Sequence, residues 1–225
     1  MASSPTPSEI APDDRAHAAL IREHTVVAAP FLVPEVRLHL VTPQCALWKA
    51  TDADLERLEL PAPYWAFGWA GGQAIARAIL DGEIDVADKR VVDFGAGSGL
   101  IAIAAMLRGA TCALAADVDP FAAIACRMNA ALNGVTIETT VVDLVGREVN
   151  ADVVFAGDVT YAADLAAAVR TWLLRLVAAG RRIYVGDPGR GFLDTEGLER
   201  VATIDAPSDV DVDGQYLVPT PIYAL

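Results

Sequence analysis

Residues 91–100, VVDFGAGSGL, decide the fold class of this chain. A short apolar run with strand character leads into a turn that holds three glycines, and an apolar helical pattern starts directly behind the turn. Glycines let the backbone of such a turn approach a ligand closely, and the first turn of a helix presents N–H groups that have no partner within the helix. The order strand, glycine turn, helix therefore predicts a ligand-binding turn of an α/β domain.

The spacing of the glycines separates two classes of cofactor that use this kind of turn. Dinucleotide sites favour Gly-x-Gly-x-x-Gly, whereas the glycines here are Gly95, Gly97 and Gly99, and Leu100 takes the place of the third glycine of that pattern. An acidic residue, Asp93, precedes the turn. This pattern resembles the first motif of class I methyltransferases that use S-adenosylmethionine. A purely structural tight turn and a nicotinamide-dependent oxidoreductase are the alternatives, and Leu100 disfavours the second.

Two further acidic residues follow the next strands. Asp117 comes directly after the predicted strand 112–116, 22 residues beyond Gly95, where a carboxylate can bind ribose hydroxyls. Asp143 follows the strand after that, and the resemblance to class I methyltransferases implies a position near the adenine. Because a sulfonium cofactor carries positive charge, carboxylates around it are not penalised as they would be beside a pyrophosphate.

Strands and helices alternate along the second half of the chain. The predicted strands are 91–94, 112–116, 135–142, 153–156, 182–185, 201–204 and 221–224, and the predicted helices are 71–80, 98–108, 120–132, 162–179 and a short one near 195–200. This alternation predicts a mostly parallel sheet with helices on both faces. The polar residues 205–220 leave no room for a crossover helix, so the last strand should be antiparallel. We expect an α/β, Rossmann-like, doubly wound sheet of seven strands.

The first part of the chain predicts an extension of this domain. Residues 1–12 are rich in Ser, Pro and Ala and are expected to form a mobile tail. A helical pattern follows, then an alternating, half-exposed strand at 36–40 and a returning strand at 45–50, which together predict a helix and hairpin. We therefore expect an extension over 13–62 that packs on the core and a methyltransferase domain over 63–225.

Composition narrows the classes of function. The chain has 225 residues, a formal net charge of −13 and 54% hydrophobic residues, which exclude general disorder and disfavour a phosphate-gripping nucleic-acid domain. The three cysteines have no metal-ligand spacing, so no metal is expected. The histidines, His17, His24 and His39, are interpreted as structural. Without a targeting pattern or a membrane-length apolar run, a cytoplasmic protein with no membrane partner is expected.

Four segments resemble one branch of the class I methyltransferases. They are TPQC at 42–45, PYWAFGWAGGQ at 63–73, GDVTY at 157–161 and VGDPGR at 185–190. Their order and spacing are similar to those of the electron transfer flavoprotein β-subunit lysine methyltransferases, seven-β-strand enzymes with an Asp-x-x-Tyr motif. The resemblance covers roughly residues 33–225. Ala70 departs from it, because vertebrate members tend to have a proline there, and this leaves the exact substrate open.

The resemblance implies a role for each matching residue. On the cofactor side it implies Trp69, Gly71, Asp93, Gly95, Gly97, Gly99, Asp117 and Asp143. At the methyl group it implies the catalytic pair Asp158 and Tyr161. On the substrate side it implies Trp65, Asp187 and Arg190. The alternatives are core packing for the tryptophans, the start of a helix for Tyr161 and a solvated loop charge for Arg190.

The implied activity is S-adenosylmethionine-dependent N-methylation of protein lysines, with the electron transfer flavoprotein β subunit as partner. A ribosomal protein or a small-molecule amine is the alternative acceptor. Nucleic acid is a weaker candidate, because enzymes that methylate bases usually carry Asn/Asp-Pro-Pro-Tyr/Phe where residues 158–161 read DVTY. A non-catalytic binding module of the same fold is a further alternative, which the intact glycine turn and Asp117 disfavour.

Overall fold

The computed structural model describes residues 12–58, 61–207 and 216–225. Its helices are α1 (Pro12–His24), α2 (Asp52–Leu58), α3 (Ala70–Asp81), α4 (Leu100–Leu107), α5 (Pro120–Leu132) and α6 (Ala163–Ala178). Its strands are β1 (Val26–Ala28), β2 (Leu38–Leu40), β3 (Arg90–Phe94), β4 (Cys112–Ala116), β5 (Glu138–Thr140), β6 (Val153–Gly157), β7 (Arg182–Gly186), β8 (Glu199–Pro207) and β9 (Leu217–Ala224). The predicted mobile tail lies outside the described residues, apart from Pro12.

The main sheet has seven strands in the order β5-β4-β3-β6-β7-β9-β8. Strands β3 to β7 pair in parallel, whereas β9 is antiparallel to both of its neighbours. The predicted doubly wound sheet with an antiparallel last strand is therefore confirmed. Reversal of the strand order at β3 brings the carboxyl ends of β3, β4 and β6 together, which is where ligands bind in such sheets.

Helices cover both faces of the sheet. One face packs against α3, α4 and α5 through residues such as Val91 and Phe155. The other packs against α6, where Trp172 and Leu173 meet Val92 and Val154. Neighbouring strand residues point to opposite faces, so the near-continuous apolar runs of β3 and β6 supply both cores. The carboxylate of Asp119 caps the start of α5 by accepting a hydrogen bond from the N–H of Phe121 at 2.8 Å.

The first part of the chain packs on α5. The Asn129 side chain accepts a hydrogen bond from the N–H of His39 at 2.8 Å, and His17 of α1 lies against Phe121 with ring centroids 4.1 Å apart. The buried Leu38 and Leu40 belong to the same core cluster as α3 and α4. These contacts support a division, which we propose, into an extension over 13–62 and a methyltransferase domain over 63–225.

Several predicted elements differ in the structure. Residues 45–50 do not form a strand but contain a 3-10 helix over Ala46–Lys49, and β1, which the sequence analysis missed, supplies the hairpin partner of β2. Within the predicted half-exposed strand 36–40, Arg37 is exposed as expected, but His39 is buried because it turns inward and hydrogen-bonds Thr25, and β2 covers only Leu38–Leu40. Without knowledge of these tertiary contacts, the polarity of His39 in the alternating pattern indicated an exposed side chain.

The region after β7 also differs from the prediction. The short helix expected near 195–200 is absent, because Glu199 already begins β8. Residues 205–207 and 217–220, predicted as loop, belong to β8 and β9, and residues 205–207 pair with residues 217–219. Residues 208–215 of that predicted loop lie outside the described part of the chain. Across the residues that are described, no helix is long and apolar enough to cross a membrane, and no cluster of metal-ligating side chains occurs.

Candidate active site

A cavity of about 570 Å³ opens at the carboxyl ends of β3, β4 and β6. Nine of the thirteen predicted site residues line it: Trp65, Trp69, Gly95, Gly97, Asp117, Asp143, Asp158, Tyr161 and Arg190. The other four, Gly71, Asp93, Gly99 and Asp187, lie behind its wall. The structure therefore brings most of the predicted residues to one cavity, and the remaining four do not line it.

The glycine turn after β3 forms one wall of the cavity. Gly95, Gly97 and Gly99 all adopt positive φ angles, of 67°, 49° and 77°, which L side chains rarely adopt. A Cβ on Gly95 would also lie 2.6 Å from Cγ1 of Val159, and one on Gly99 would lie 2.9 Å from Sγ of Cys126. A Cβ on Gly97 would make only ordinary van der Waals contact, 3.7 Å from Cα of Trp65, so there the backbone conformation alone requires glycine.

The Asp117 carboxylate at the end of β4 is tied to this turn. One oxygen accepts a hydrogen bond from the N–H of Gly97 at 2.9 Å and the other accepts one from the N–H of Asp119 at 3.0 Å. The N–H of Gly97, which a dinucleotide turn would offer to a phosphate, is thus already bonded to a carboxylate. This arrangement favours a cationic nucleoside ligand over a pyrophosphate.

Asp93 faces away from the cavity. Its side chain is only 1% exposed and accepts a hydrogen bond from the N–H of Ala102, in the first turn of α4, at 3.0 Å. Burial raises the pKa of this carboxyl to about 7, and the bond from Ala102 opposes the rise. Asp93 therefore fixes the glycine turn to α4, and we propose that its part in cofactor binding is indirect.

Asp158 follows β6 in a strained backbone conformation. Its φ is 57°, which is rare outside glycine, and its carboxylate is almost fully buried. One oxygen accepts a hydrogen bond from the N–H of Gly72 at 3.0 Å, and the other pairs with Arg190 at 2.9 Å. Burial raises the pKa of Asp158 to about 6, although Arg190 and the N–H groups at the start of α3 lower it.

The start of α3 lies unusually close to the ends of β6 and β7. A Cβ on Gly71 would lie 2.3 Å from the carbonyl oxygen of Gly186 and 2.7 Å from Oδ2 of Asp158. A Cβ on Gly157 would lie 2.9 Å from the backbone nitrogen of Gly72. Glycines on all three elements let the positive end of the α3 dipole reach the Asp158 carboxylate.

Aromatic side chains form the rim of the cavity. The indole N–H of Trp69 donates to the carbonyl oxygen of Tyr64 at 2.9 Å, and the guanidinium of Arg190 lies over the Trp69 ring. Trp65 is buried and stacks on Phe121, so it combines a core position with a place in the cavity wall. Tyr161 is exposed at the rim, and partial burial raises the pKa of its hydroxyl.

Asp187 shapes the segment that carries Arg190. Its carboxylate accepts hydrogen bonds from the Thr160 hydroxyl and from the N–H of Gly189, and its own N–H donates to Pro221 of β9. It is buried and does not line the cavity. We therefore propose that Asp187 acts on the substrate side through the shape of residues 187–190.

The sequence analysis missed Gly157 and Gly186, the partners of α3 in the close backbone contact. A signal was present, because both strands end in the same dipeptide, Gly157-Asp158 and Gly186-Asp187. It also did not identify the apolar residues Phe94, Leu144 and Val145, which line the cavity. Because these side chains are apolar, nothing in the sequence distinguished them from residues of the hydrophobic core.

The residues present fit S-adenosylmethionine. Asp117 and Asp143 line the cavity beside apolar walls that suit a nucleoside, and Asp158 adds a third carboxylate that suits a nearby sulfonium. Apart from Arg190, the described lining contains no cationic side chain that would favour a pyrophosphate.

Comparisons with known proteins agree with this geometry. The chain is 36% identical over 211 residues to the electron transfer flavoprotein beta subunit lysine methyltransferase of Danio rerio. This match covers 91% of this chain and 81% of that protein. It is 41% identical over 180 residues to the Rattus norvegicus protein of that name, covering 76% of this chain and 68% of the relative. The family model for ribosomal protein L11 methyltransferase (PrmA) matches residues 74–169.

A solved structure supports the fold. The magnesium protoporphyrin IX methyltransferase of Synechocystis, solved with bound SAM, superposes with a TM-score of 0.52 at 19% identity, covering 68% of this chain and 78% of that one. At this level of identity the match bears on the fold alone, which is that of class I methyltransferases. The relatives at 36–41% identity show that the chain belongs to the electron transfer flavoprotein beta subunit lysine methyltransferase family, a family of S-adenosylmethionine-dependent methyltransferases.

Proposed function

We propose that this methyltransferase modifies lysine amines of the electron transfer flavoprotein β subunit. The observation that carries the proposal is Asp158, a buried carboxylate that faces the cavity and follows β6 in a strained conformation. Backbone strain of this kind is maintained only where the surrounding structure enforces it, and it concentrates at functional sites. The relatives that match most of the chain carry this substrate in their names.

The cofactor-binding roles are proposed from position in the cavity. Bound S-adenosylmethionine supplies a methyl group already activated by its sulfonium. Asp117 would hold the ribose, Asp143 would lie near the adenine, and the glycine turn with Trp69 would enclose the remainder. Gly71 would act through the helix start that it brings to Asp158.

The protein has to present a neutral amine in line with the methyl carbon. A free lysine has a pKa of about 10.4, so it must lose a proton before it can attack. Desolvation among Trp65, Trp69 and Tyr161 would lower that pKa. Asp158 would accept a hydrogen bond from the amine and stabilise the positive charge that develops on its nitrogen. Held in this geometry, the two reactants gain much of their rate from proximity alone.

A protein partner that presents a lysine is consistent with the negative charge of the cavity and of the chain. Asp117, Asp119, Asp143 and Asp158 line the cavity, and the whole chain has a net charge of −13. Such a surface attracts a lysine-bearing segment. The alternative acceptor, a ribosomal protein, is less favoured because the matching family model reaches only residues 74–169. We place the reaction in the cytoplasm, where the free Cys45, Cys112 and Cys126 would stay reduced.

Incubation with labelled S-adenosylmethionine and purified electron transfer flavoprotein tests the proposal. We expect label on the β subunit and, for Asp158→Asn, a loss of transfer of about a hundredfold or more, with binding of S-adenosylhomocysteine retained in calorimetry. Asp164→Asn, at an exposed position in the first turn of α6, is the matched control and should keep full transfer.

Three results would contradict the proposal. Label on RNA or on ribosomal proteins alone would show that the acceptor is not the flavoprotein. Full methyl transfer by Asp158→Asn would show that Asp158 is not a catalytic residue. Binding of NAD in place of S-adenosylhomocysteine would overturn the cofactor.

A further inference from the structure

Arg190 occupies a position at the cavity that has the chemistry of a cation-binding site. Its Nη1 lies 2.9 Å from Oδ1 of Asp158, and its guanidinium carbon lies 5.6 Å from the centroid of the Trp69 ring. The Arg190 side chain is 17% exposed and the Asp158 side chain 6%, so the pair is largely removed from solvent. A carboxylate and an indole face together form a strong site for an organic cation.

The two carboxylate oxygens of Asp158 have different hydrogen-bond partners. Oδ2 accepts a hydrogen bond from the N–H of Gly72 at the start of α3, and the close backbone packing there fixes the position of this N–H. Oδ1 is held by Arg190, which belongs to a segment without regular secondary structure. Oδ1 is therefore the oxygen that an acceptor amine can reach, and a guanidinium over Trp69 covers the ring face that the amine would need.

The backbone around Arg190 allows it to leave. The glycines on either side, Gly189 and Gly191, have φ angles of 87° and 86°, and no atom lies within 4 Å of a Cβ built on either. Upstream, Asp187 is anchored by Thr160 and by the N–H of Gly189. Rotation at the two glycines would move Arg190 away from Asp158 while Asp187 stays in place.

We propose that Asp158 Oδ1 and the face of Trp69 form the site where the acceptor lysine first binds as an ammonium, before it loses its proton for transfer, and that Arg190 fills this site until a substrate lysine displaces it. The inference rests on the proposed lysine methylation. It makes Arg190 a positioning residue rather than a catalytic one. While no acceptor is bound, Arg190 compensates a buried carboxylate that would otherwise be costly. It also favours cationic side chains, because a neutral side chain that displaced Arg190 would leave the carboxylate unpaired.

A small quaternary ammonium tests the site without reference to turnover. The probe is choline, titrated by calorimetry into the full chain with S-adenosylhomocysteine present, and its neutral isostere 3,3-dimethylbutanol is the comparison. In Arg190→Gln the competing guanidinium is gone, so we expect about fivefold or tighter binding of the ammonium and no gain for the alcohol. Arg175→Gln, at an exposed position on α6, is the matched control and should bind the probe as the unmodified chain does.

Variants at Trp69 show whether the ring forms the site. In the Arg190→Gln background, Trp69→Leu should lose the gain in ammonium affinity, and Trp69→Phe, which keeps an aromatic face, should retain part of it. Circular dichroism and thermal unfolding of each variant confirm that the protein is folded, because Trp69 itself is proposed to contact the cofactor.

Two outcomes would overturn the inference. One is an ammonium affinity that is unchanged or weaker in Arg190→Gln. The other is weaker binding of S-adenosylhomocysteine with unchanged binding of methylthioadenosine, which would make Arg190 a clamp for the cofactor carboxylate. If the unmodified chain methylates the flavoprotein but the probe does not respond, only this inference fails. If the probe responds but the flavoprotein is not methylated, the cation site stands and the proposed acceptor fails.

Discussion

Two regions of this molecule depend on glycine for different physical reasons. In the turn after β3, Gly95, Gly97 and Gly99 are needed because their φ angles are positive. Where α3 meets β6 and β7, Gly71 is needed because a side chain has no space, with the Gly186 carbonyl oxygen 2.3 Å from a built Cβ. The first requirement is local to the chain, whereas the second exists only after three distant elements have come together.

This difference decides how each region tolerates change. A conformational cost is confined to one residue and amounts to about 1–2 kcal/mol. A collision between two backbones cannot be relieved by a change of side-chain rotamer, so one element has to move. We therefore expect the contact of α3 with the strand ends to be the more sensitive region.

The largest effect is expected for Gly71→Ala. The new methyl group would collide with the Gly186 carbonyl and with Oδ2 of Asp158, so α3 must shift away from the sheet. We expect a loss of about 3 kcal/mol or more in the free energy of unfolding, which corresponds to a fall in Tm of about 6–12 °C in a chain of this size. Thermal unfolding followed by circular dichroism measures it.

The neighbouring position provides the control. Gly72 lies next to Gly71 in the first turn of α3, but no atom lies within 4 Å of a Cβ built there. Gly72→Ala should leave Tm unchanged or raise it, because alanine favours a helix by about 1 kcal/mol over glycine. Equal losses in the two variants would contradict a steric contact that is specific to Gly71.

A smaller effect, and one that can be reversed, is expected for Gly95→Ala. Here the obstacle is a side-chain atom, Cγ1 of Val159 at 2.6 Å, in addition to the positive φ. The double variant Gly95→Ala/Val159→Ala removes the obstacle and should recover the steric part of the loss, leaving a conformational cost of about 1–2 kcal/mol beyond that of Val159→Ala alone. Denaturant unfolding of all three variants measures the coupling. Strictly additive losses would contradict a steric contact at this position.

A further effect, which is visible only when the pH is changed, concerns Asp93, the carboxyl that supports the glycine turn. Its pKa is about 7 in the folded chain against a usual value of 3.8, so the folded state binds the proton more tightly than the unfolded state. This contribution to stability is complete below about pH 4 and is lost as the pH rises to about 7. Asp93→Asn keeps an acceptor for the N–H of Ala102 and removes the titration.

We therefore expect Asp93→Asn to reduce the fall in Tm between about pH 4 and about pH 7 by about 5 °C or more. Asp164→Asn, at an exposed position of α6, should keep the pH dependence of the unmodified chain. If the pH dependence survives in Asp93→Asn, another buried group is responsible for it.

The fold could be predicted from the sequence where local pattern and tertiary structure agree. The strand, glycine turn and helix over 91–100 are one continuous unit, and the strand ends that carry Asp117 and Asp158 meet by the rules of parallel sheets. Most of the cavity residues followed from these two facts and from the family resemblance. The agreement of local and global preference is typical of natural folds.

The remaining features depend on contacts between distant residues. Burial of His39 requires Thr25 and Asn129 from two other elements, so its polarity misled the prediction of exposure. The length of β8 is set by pairing with β9 rather than by its own alternation. The inward turn of Asp93 toward Ala102 depends on where α4 begins, and no spacing in the sequence distinguishes a carboxylate that faces the cavity from one that faces a helix.

The position of β9 in the sheet has a consequence for synthesis on the ribosome. β9 is inserted between β7 and β8, both of which precede it in the chain, and the N–H of Asp187 bonds to its Pro221. Until β9 has been translated, β7 and β8 each expose an unpaired edge, a state that invites association with other chains. The nascent enzyme would therefore complete its sheet and fix the segment next to its substrate site in the same late step.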